Sequence, residues 1–155
     1  MRQDMKQPIE TQPQHGGCLC GAVRYAVEGR LSGIIVCHCK DCQRASGSTA
    51  AYNVRVATRD LTITKGACDR YTVTAESGQE LTRMFCARCG SQLFSQRAQL
   101  PDVLSIKAGT LDDPGGLALA RHIWTARATP WDTIDTELPC HEGEFDGLRQ
   151  PTTDV

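Results

Sequence analysis

Short apolar runs, separated by Gly, Asp and Ser, dominate the chain between residues 17 and 131. They are rich in β-branched or aromatic residues and lack a 3.6-residue apolar stripe, which favours strands over helices. The sequence therefore predicts an all-β domain with little helix. The segment 118–124 has the least extended pattern and could begin with a helical turn. Eight strands are predicted at residues 22–27, 33–37, 50–56, 61–64, 70–75, 80–85, 91–94 and 103–109.

Both ends of the chain differ in composition from this central region. Residues 1–15 carry Gln, Pro and charged side chains without periodicity, and residues 142–155 return to charge, Gly and Pro. Such segments bury too little apolar surface to offset the entropy of ordering. We expect a flexible N-terminal arm at 1–15, one domain at 16–141 and a mobile tail at 142–155.

The composition indicates a thin hydrophobic core. Leu, Ile, Val and Phe together account for 30 of the 155 residues, whereas the chain has nine cysteines. A domain with a small core usually needs a further source of stability, such as disulfides or a bound metal. The cysteines are therefore the first candidates for functional and structural chemistry.

The charge balance excludes several classes of partner. Seventeen basic and eighteen acidic residues give a net charge of −1, so we expect no nucleic-acid partner.

The apolar runs are far shorter than the roughly 20 residues of a membrane-spanning helix, and the polar N-terminus lacks the apolar centre of a secretory signal. We expect a cytoplasmic protein in a reducing compartment, where clustered cysteines are metal ligands or reactive thiols rather than disulfides.

Two cysteine pairs have the spacing of a structural zinc site. Cys86 and Cys89 form a C-x-x-C turn followed by Gly, which can direct two thiolates at one ion. Cys18 and Cys20, also followed by Gly, can supply the second pair. This four-cysteine site would join segments that lie more than sixty residues apart, and zinc binding would then contribute to folding.

A third cluster has only three cysteines. Cys37, Cys39 and Cys42 form a C-x-C-x-x-C motif, which leaves one position of a tetrahedral zinc open, as in catalytic sites. Three thiolates make the ion a weak Lewis acid and a good partner for a soft fourth ligand. The sequence therefore predicts a substrate thiol in the open position.

Other assignments of these cysteines remain open from the residues alone. Cys37 and Cys39 could join one knuckle in a single four-cysteine site. Alternatively, the middle cluster could be structural and completed by Cys68, Cys140 or a histidine. His38 is either a general acid or base, or a spacer between two ligands.

Four segments, taken in order, resemble the glutathione-dependent formaldehyde-activating enzyme family, which includes centromere-protein-V-like members. The segments are GGCLCGAVRY, CHCKDCQRASG, FCARCGSQLF and AGTLDDP. The resemblance implies a β-tent fold of small antiparallel sheets and two zinc sites. It places Cys18, Cys20, Cys86 and Cys89 in the structural site and Cys37, Cys39 and Cys42 beside a glutathione pocket.

The resemblance also implies a reaction, the addition of glutathione to formaldehyde, which is a carbon-sulfur lyase reaction run in reverse. The small-molecule partners would be a thiol and an aldehyde. A zinc-held thiolate would attack the aldehyde carbon, and a nearby group would protonate the alkoxide. The candidate proton donors are His38, Asp41, His122 or a bound water.

Glutathione carries two carboxylates, so cationic side chains should hold it. Lys40 and Arg44 are closest to the three cysteines in sequence, and Arg55, Lys107 and Arg121 are further candidates. The alternative function is a non-enzymatic zinc module that binds other proteins. A homo-oligomer is possible, and the sequence does not specify it.

Overall fold

The computed structural model describes residues 12–145, and within them the regular structure is mostly β, with ten strands, one α-helix and three short 3-10 turns. This confirms the predicted all-β class, and each of the eight predicted strands is present. The strands are β1 (Gln14–Gly17), β2 (Arg24–Val27), β3 (Ile34–Cys37), β4 (Ala51–Ala57), β5 (Leu61–Lys65), β6 (Asp69–Thr74), β7 (Glu80–Phe85), β8 (Gln92–Arg97), β9 (Val103–Lys107) and β10 (Leu119–Ile123); the helix is α1 (Lys40–Ser46).

The strands form two sheets. The small sheet has the order β1-β2-β5, and the large sheet has the order β10-β3-β4-β9-β8-β7-β6. Neighbouring strands are antiparallel, except that β10 lies parallel to β3 at one edge of the large sheet.

The main core lies between the small sheet and one face of the large sheet. Tyr25 from β2 is fully buried, and its ring meets that of Phe94 from β8 edge-on, with centroids 5.0 Å apart. Its hydroxyl is hydrogen-bonded to Thr110 Oγ1 at 2.8 Å, so the polar end of the ring is satisfied. Val54, Val56, Leu104 and Ile106 pack into the same cluster. Since side chains alternate along a strand, the residues between these apolar ones belong to the opposite face of the large sheet.

The segment 118–124, which was expected to begin with a helical turn, forms strand β10 instead. Leu119, Arg121, His122 and Ile123 pair with β3, which supplies the backbone partners that a helical turn would have to find locally. The helical expectation was therefore wrong, because a non-local pairing overrides a weak local pattern.

Backbone hydrogen bonds extend on both sides of the predicted domain of residues 16–141. Strand β1 begins at Gln14, before the predicted start of the domain, because it pairs with β2. At the other end, the amides of Trp124 and Ala126 donate to the carbonyls of Gly143 and Glu142. Residues 142–145 therefore contact the domain, whereas the rest of the predicted tail and residues 1–11 of the predicted arm lie outside the described residues.

Within residues 12–145, no helix combines the length and the apolar character needed to cross a membrane.

Candidate active site

The four cysteines of the first cluster come together although they belong to distant segments. The Sγ atoms of Cys18, Cys20, Cys86 and Cys89 all lie within 4.8 Å of one another. Cys20 bridges the pairs, with its Sγ 3.7 Å from that of Cys18 and 3.8 Å from that of Cys86. Four convergent sulfurs are a complete tetrahedral donor set for a soft divalent metal.

Local turns at both pairs direct the sulfurs inward. Gly21 and Gly90 each follow a cysteine pair and both have φ of +76°, a conformation that glycine adopts without steric cost. The Val23 amide donates to Cys18 Sγ at 3.2 Å, and Ser91 Oγ lies 3.2 Å from Cys89 Sγ. The Ser91 hydroxyl is the main group that lowers the pKa of Cys89 to about 5. These amide and hydroxyl contacts favour the thiolate form that a metal requires.

The second cluster is built at the junction of β3 and α1. Cys37 ends β3, Cys39 is the N-cap of α1, and Cys42 lies in its first turn, with all three sulfurs within 4.8 Å of one another. The Cys42 amide donates to Cys39 Sγ at 3.3 Å, so the thiol takes the capping role that Ser or Asp usually fills. Gly47, at φ +67°, ends the helix with its amide bonded to the Gln43 carbonyl. The sequence did not predict this helix, because its seven residues are too short to show an apolar stripe.

Cations outside the motif favour a thiolate in this cluster. The pKa of Cys42 lies far below its ordinary value, because Cys37 and Cys39 donate to its sulfur and because Lys107 and Arg83 add positive charge. The Arg83 Nη2 atom is 4.0 Å from Cys42 Sγ. Since contacts among the three sulfurs raise the pKa of Cys37 and leave that of Cys39 at about 11, the cluster favours one thiolate, at Cys42.

A cavity of about 100 Å³ that opens to solvent lies against the polar face of the large sheet. Cys37, Cys39 and Cys42 line one side of it, so the second cluster faces a space that can admit a ligand. By contrast, the residues of the four-cysteine cluster are not among the described residues that line this cavity. The two clusters thus differ both in the number of sulfurs and in access to a cavity.

The floor of the cavity is a row of residues that crosses four strands. Arg83 is the register partner of Ser95, Ser95 of Ser105, and Ser105 of Arg55. The two serines are small, which leaves space between the arginines at the ends of the row. Burial lowers the pKa of Arg55 to about 10, helped by the neighbouring Arg121 and Arg97.

A second row lies closer to the cysteines. Asn53 pairs with Ile35 on one side and with Lys107 on the other, and all three line the cavity. Lys107 donates to Asn53 Oδ1 at 2.6 Å, and burial lowers its pKa while the nearby Cys42 raises it. The two rows and Arg97 give the cavity four cationic side chains, which makes it suited to anionic groups.

Acidic and aromatic residues also line the cavity. Glu144 pairs with Arg97 at 2.7 Å, and Glu76, from the turn between β6 and β7, pairs with Arg127. Glu144, Glu76 and Trp124 line the cavity together with the four cations. The site can therefore contact cationic and apolar parts of a ligand as well as carboxylates.

The two histidines that were candidate proton donors, His38 and His122, lie against each other and not at the cavity. His38 Nε2 lies 2.9 Å from His122 Nδ1, and His38 Nδ1 lies 3.4 Å from Asp132 Oδ2. Both rings are buried, and neither histidine is among the described residues that line the cavity. Of the side chains expected as donors, Asp41 does line it.

The two cations closest to the three cysteines in sequence also lie away from the cavity. Lys40 and Arg44 are exposed on α1, and Lys40 Nζ bonds to Gln43 Oε1; neither is among the described lining residues. Arg121 lies over the Phe145 ring at 3.8 Å. Arg55 and Lys107, by contrast, both line the cavity. A seven-residue helix turns successive side chains away from one another, so adjacency in sequence does not imply adjacency at the site.

The remaining two cysteines are separate from both clusters. Cys68 packs against the main core, and the exposed Cys140 lies near the carbonyls of Leu138 and Asp135. Neither belongs to a described group that could hold a metal.

Sequence reasoning missed Arg83, Arg97 and Asn53. Alternation along the strands is the signal that could have found them. Arg83 and Asn53 each lie next to a residue of the main core, and Arg97 lies two residues after Ser95 on the same strand. That signal becomes informative only once the strand register is known.

Comparisons with known proteins bear on the fold and the family of this chain. A crystal structure of a Rhodobacter sphaeroides protein, a structural genomics target, matches with a TM-score of 0.53 at 23% sequence identity, covering 68% of this chain and 99% of that one. At this identity the match shows the fold alone. The glutathione-dependent formaldehyde-activating enzyme family matches residues 13–127, which confirms the resemblance seen in the motifs. Because this span contains every described strand and both cysteine clusters, the chain belongs to the glutathione-dependent formaldehyde-activating enzyme family.

Proposed function

We propose that this protein is a zinc-dependent carbon-sulfur lyase that joins a glutathione-like thiol to formaldehyde or another small electrophile. The observation that carries the proposal is the convergence of Cys37, Cys39 and Cys42 on one wall of a cationic cavity. The family match supports formaldehyde activation as the reaction class. A binding module without catalytic activity does not require three soft donors to face such a cavity.

The donor atoms fit two zinc ions of different kinds. Cys18, Cys20, Cys86 and Cys89 offer four sulfurs and would hold a structural ion, whereas Cys37, Cys39 and Cys42 offer three. Zinc held by three thiolates would keep one position for a substrate thiol and lower the pKa of that thiol.

Cationic side chains on the sheet would orient the thiol substrate. A glutathione-like molecule carries two carboxylates, and Arg55, Arg83, Arg97 and Lys107 line the same cavity as the cysteines. Planar guanidinium groups bind carboxylates through two parallel hydrogen bonds, which fixes both position and direction. Asn53 holds the Lys107 ammonium in place through a 2.6 Å hydrogen bond.

The chemical step forms a carbon–sulfur bond and an oxygen–hydrogen bond, breaks the carbonyl π bond, and transfers the proton that the thiol loses to the new hydroxyl, directly or by exchange with water. The substrate sulfur donates an electron pair to the carbonyl carbon, the carbonyl π electrons move to oxygen, and the resulting alkoxide takes a proton to give a hydroxymethyl thioether. Asp41 and Lys107 line the cavity and are the side chains we assign to the transfer of this proton, directly or through water. His38 and His122 are buried elsewhere and are not assigned to it.

The nine free cysteines favour a reducing environment, so we propose a cytoplasmic location.

Cobalt substitution tests the proposal, because the sulfur-to-metal absorption of Co²⁺ reports on added thiolate ligands. We expect glutathione to strengthen this absorption in the fully loaded protein, and formaldehyde then to alter it as the thiolate is consumed. The matched control is Cys39→Ser, in which the response should disappear. An unchanged spectrum at millimolar glutathione would overturn direct thiol binding and favour the interaction-module function.

A further inference from the structure

The Arg97–Glu144 ion pair has an unusual position for a surface salt bridge. The Arg97 Nη2 and Glu144 Oε1 atoms are 2.7 Å apart, both residues line the cavity, and their side chains are only 24% and 25% exposed. Arg97 comes from the end of β8, whereas Glu144 comes from the segment that follows β10. Two unlike charges from distant segments thus meet at the wall of the ligand space.

The pair lies within reach of a ligand held at the cysteines. Arg83, whose Nη2 is 4.0 Å from Cys42 Sγ, pairs with Ser95, and Leu81 pairs with Arg97. Arg83 and Arg97 are therefore diagonal neighbours on adjacent strands, with Cα atoms about 7–8 Å apart. Since an extended residue spans about 3.5 Å, a ligand two or three residues long can connect the two places.

The partial burial of this pair determines which ligand it can accept. A simple carboxylate that took Arg97 from Glu144 would leave the Glu144 carboxylate partly buried without its cation, which is costly. A neutral group would separate Arg97 from Glu144 without giving either side chain a new partner of opposite charge. A ligand group that carries both charges can separate the two side chains and give each a new partner of opposite charge.

We propose that Arg97 and Glu144 form a subsite for a zwitterionic α-amino acid group, in which Arg97 binds the α-carboxylate and Glu144 binds the α-ammonium. This inference rests on the proposed function for the identity of the ligand as a thiol with an amino acid end. It makes Glu144 a specificity residue that selects such thiols over thiols with carboxylates alone.

Binding measurements on the full, zinc-loaded chain test the subsite. Glutathione carries the zwitterionic group at its γ-glutamyl end, and N-acetylglutathione keeps the carboxylate but lacks the ammonium. In a cationic cavity the more anionic N-acetyl compound would otherwise bind more tightly. We expect the wild type to bind glutathione about tenfold or more tightly than N-acetylglutathione, as loss of one charged hydrogen bond implies.

Variants of Arg97 and Glu144 test whether this ion pair causes the preference for glutathione over N-acetylglutathione. Glu144→Gln should weaken glutathione binding and bring the two affinities to within about twofold of each other, since the amide keeps the size of the carboxylate but not its charge. Arg97→Gln should weaken both compounds. The matched control is Glu142→Gln, an exposed carboxylate on the same segment, which should keep the wild-type preference. Equal affinities in the wild type, a preference retained in Glu144→Gln, or no binding of either compound would overturn the subsite.

S-methylglutathione separates this inference from the proposed function, because its thioether cannot act as a thiolate ligand. If it binds with the same dependence on Glu144 while glutathione leaves the cobalt spectrum unchanged, the subsite stands and the proposed function fails. If the cobalt spectrum responds to both glutathione and N-acetylglutathione, and half of the response is reached at the same concentration of each, the proposed function stands and the subsite fails.

Discussion

The guanidinium of Arg83 lies 4.0 Å from the sulfur of Cys42, although the two residues are 41 positions apart in the chain. Arg83 belongs to β7 and Cys42 to α1, and a hydrogen bond of 2.6 Å from Gln92 Nε2 to the Ala45 carbonyl fastens the helix to the neighbouring strand β8. The cysteine motif therefore does not act alone, because the sheet supplies a cation that stabilises its thiolate.

Replacing Arg83 tests this relationship. In Arg83→Met the cation beside Cys42 is lost, so the three thiols should ionise less readily and bind metal more weakly. We expect zinc affinity at the second site to fall about 10- to 100-fold, the usual effect of removing a group that supports a ligand. Competition with a chromogenic chelator measures this loss, and Arg83→Lys should recover part of the affinity.

Arg59→Met is the control for a general effect of charge. Its side chain is 88% exposed and contacts Asp60 rather than a cysteine, so zinc affinity should remain at the wild-type value. Equal losses in the Arg59 and Arg83 variants would show that net charge, and not this contact, controls metal binding.

The four-cysteine cluster should control stability. Cys86→Ser removes a buried sulfur from the β7–β8 turn that lies against the segment between β1 and β2, and a metal bound to this cluster would be coupled to folding. We expect the melting temperature to fall by roughly 10 °C or more, since each kcal/mol is worth about 2–4 °C in a domain of this size. Thermal unfolding with parallel metal analysis checks the result, and wild-type stability with full metal content would contradict it.

The three-cysteine cluster should control activity instead. Cys39→Ser keeps a side chain that can cap α1, because a serine hydroxyl is a preferred N-cap acceptor. The variant should therefore unfold within about 5 °C of the wild type, a difference of 1–2 kcal/mol, while it loses one equivalent of metal and its response to thiols. If Cys39→Ser and Cys86→Ser unfolded equally early, the two clusters would not have separate roles.

The sequence predicted the strands and cysteine clusters that are encoded by residues close together in the chain. The apolar runs located eight strands, because half-buried strands require alternating or continuous β-branched residues wherever they occur. The cysteine spacing likewise predicted both clusters. In the four-cysteine cluster, Gly21 and Gly90 mark the turns that bring paired sulfurs together, and in the other cluster all three cysteines lie within six residues. Strand β1, with the sequence QHGG, carries no such pattern and depends on its pairing with β2.

The polar wall of the cavity depends on strand register, which the sequence does not show directly. Arg83, Ser95, Ser105 and Arg55 fall in one row only because four antiparallel strands pair in one particular alignment. Proximity in sequence pointed instead to Lys40 and Arg44, which the helix directs to solvent. His38 shows the same effect, because the strand that places Cys37 at the cavity turns the histidine toward His122.

The buried histidine pair should make stability depend on pH. Burial lowers the pKa of His38, and the neighbouring His122 lowers it further; burial likewise lowers the pKa of His122. An unfolded histidine has a pKa of about 6.5. Below this pH the unfolded chain takes up protons that the folded protein does not, so stability is complete above about pH 6.5 and falls as the pH drops through the lowered pKa values.

His122→Gln isolates this contribution, because glutamine can still hydrogen-bond to His38 but does not titrate. Between pH 7 and 5 the wild type should lose stability more steeply, by at most about 1.4 kcal/mol per pH unit for the one histidine removed. Acid would also protonate the cysteines of the two clusters. Wild type and variant share this loss of stability when their metal content is matched. The difference between their slopes of stability against pH is therefore due to His122. Denaturant unfolding at each pH measures it, and parallel slopes would show that His122 does not stay neutral in the folded protein.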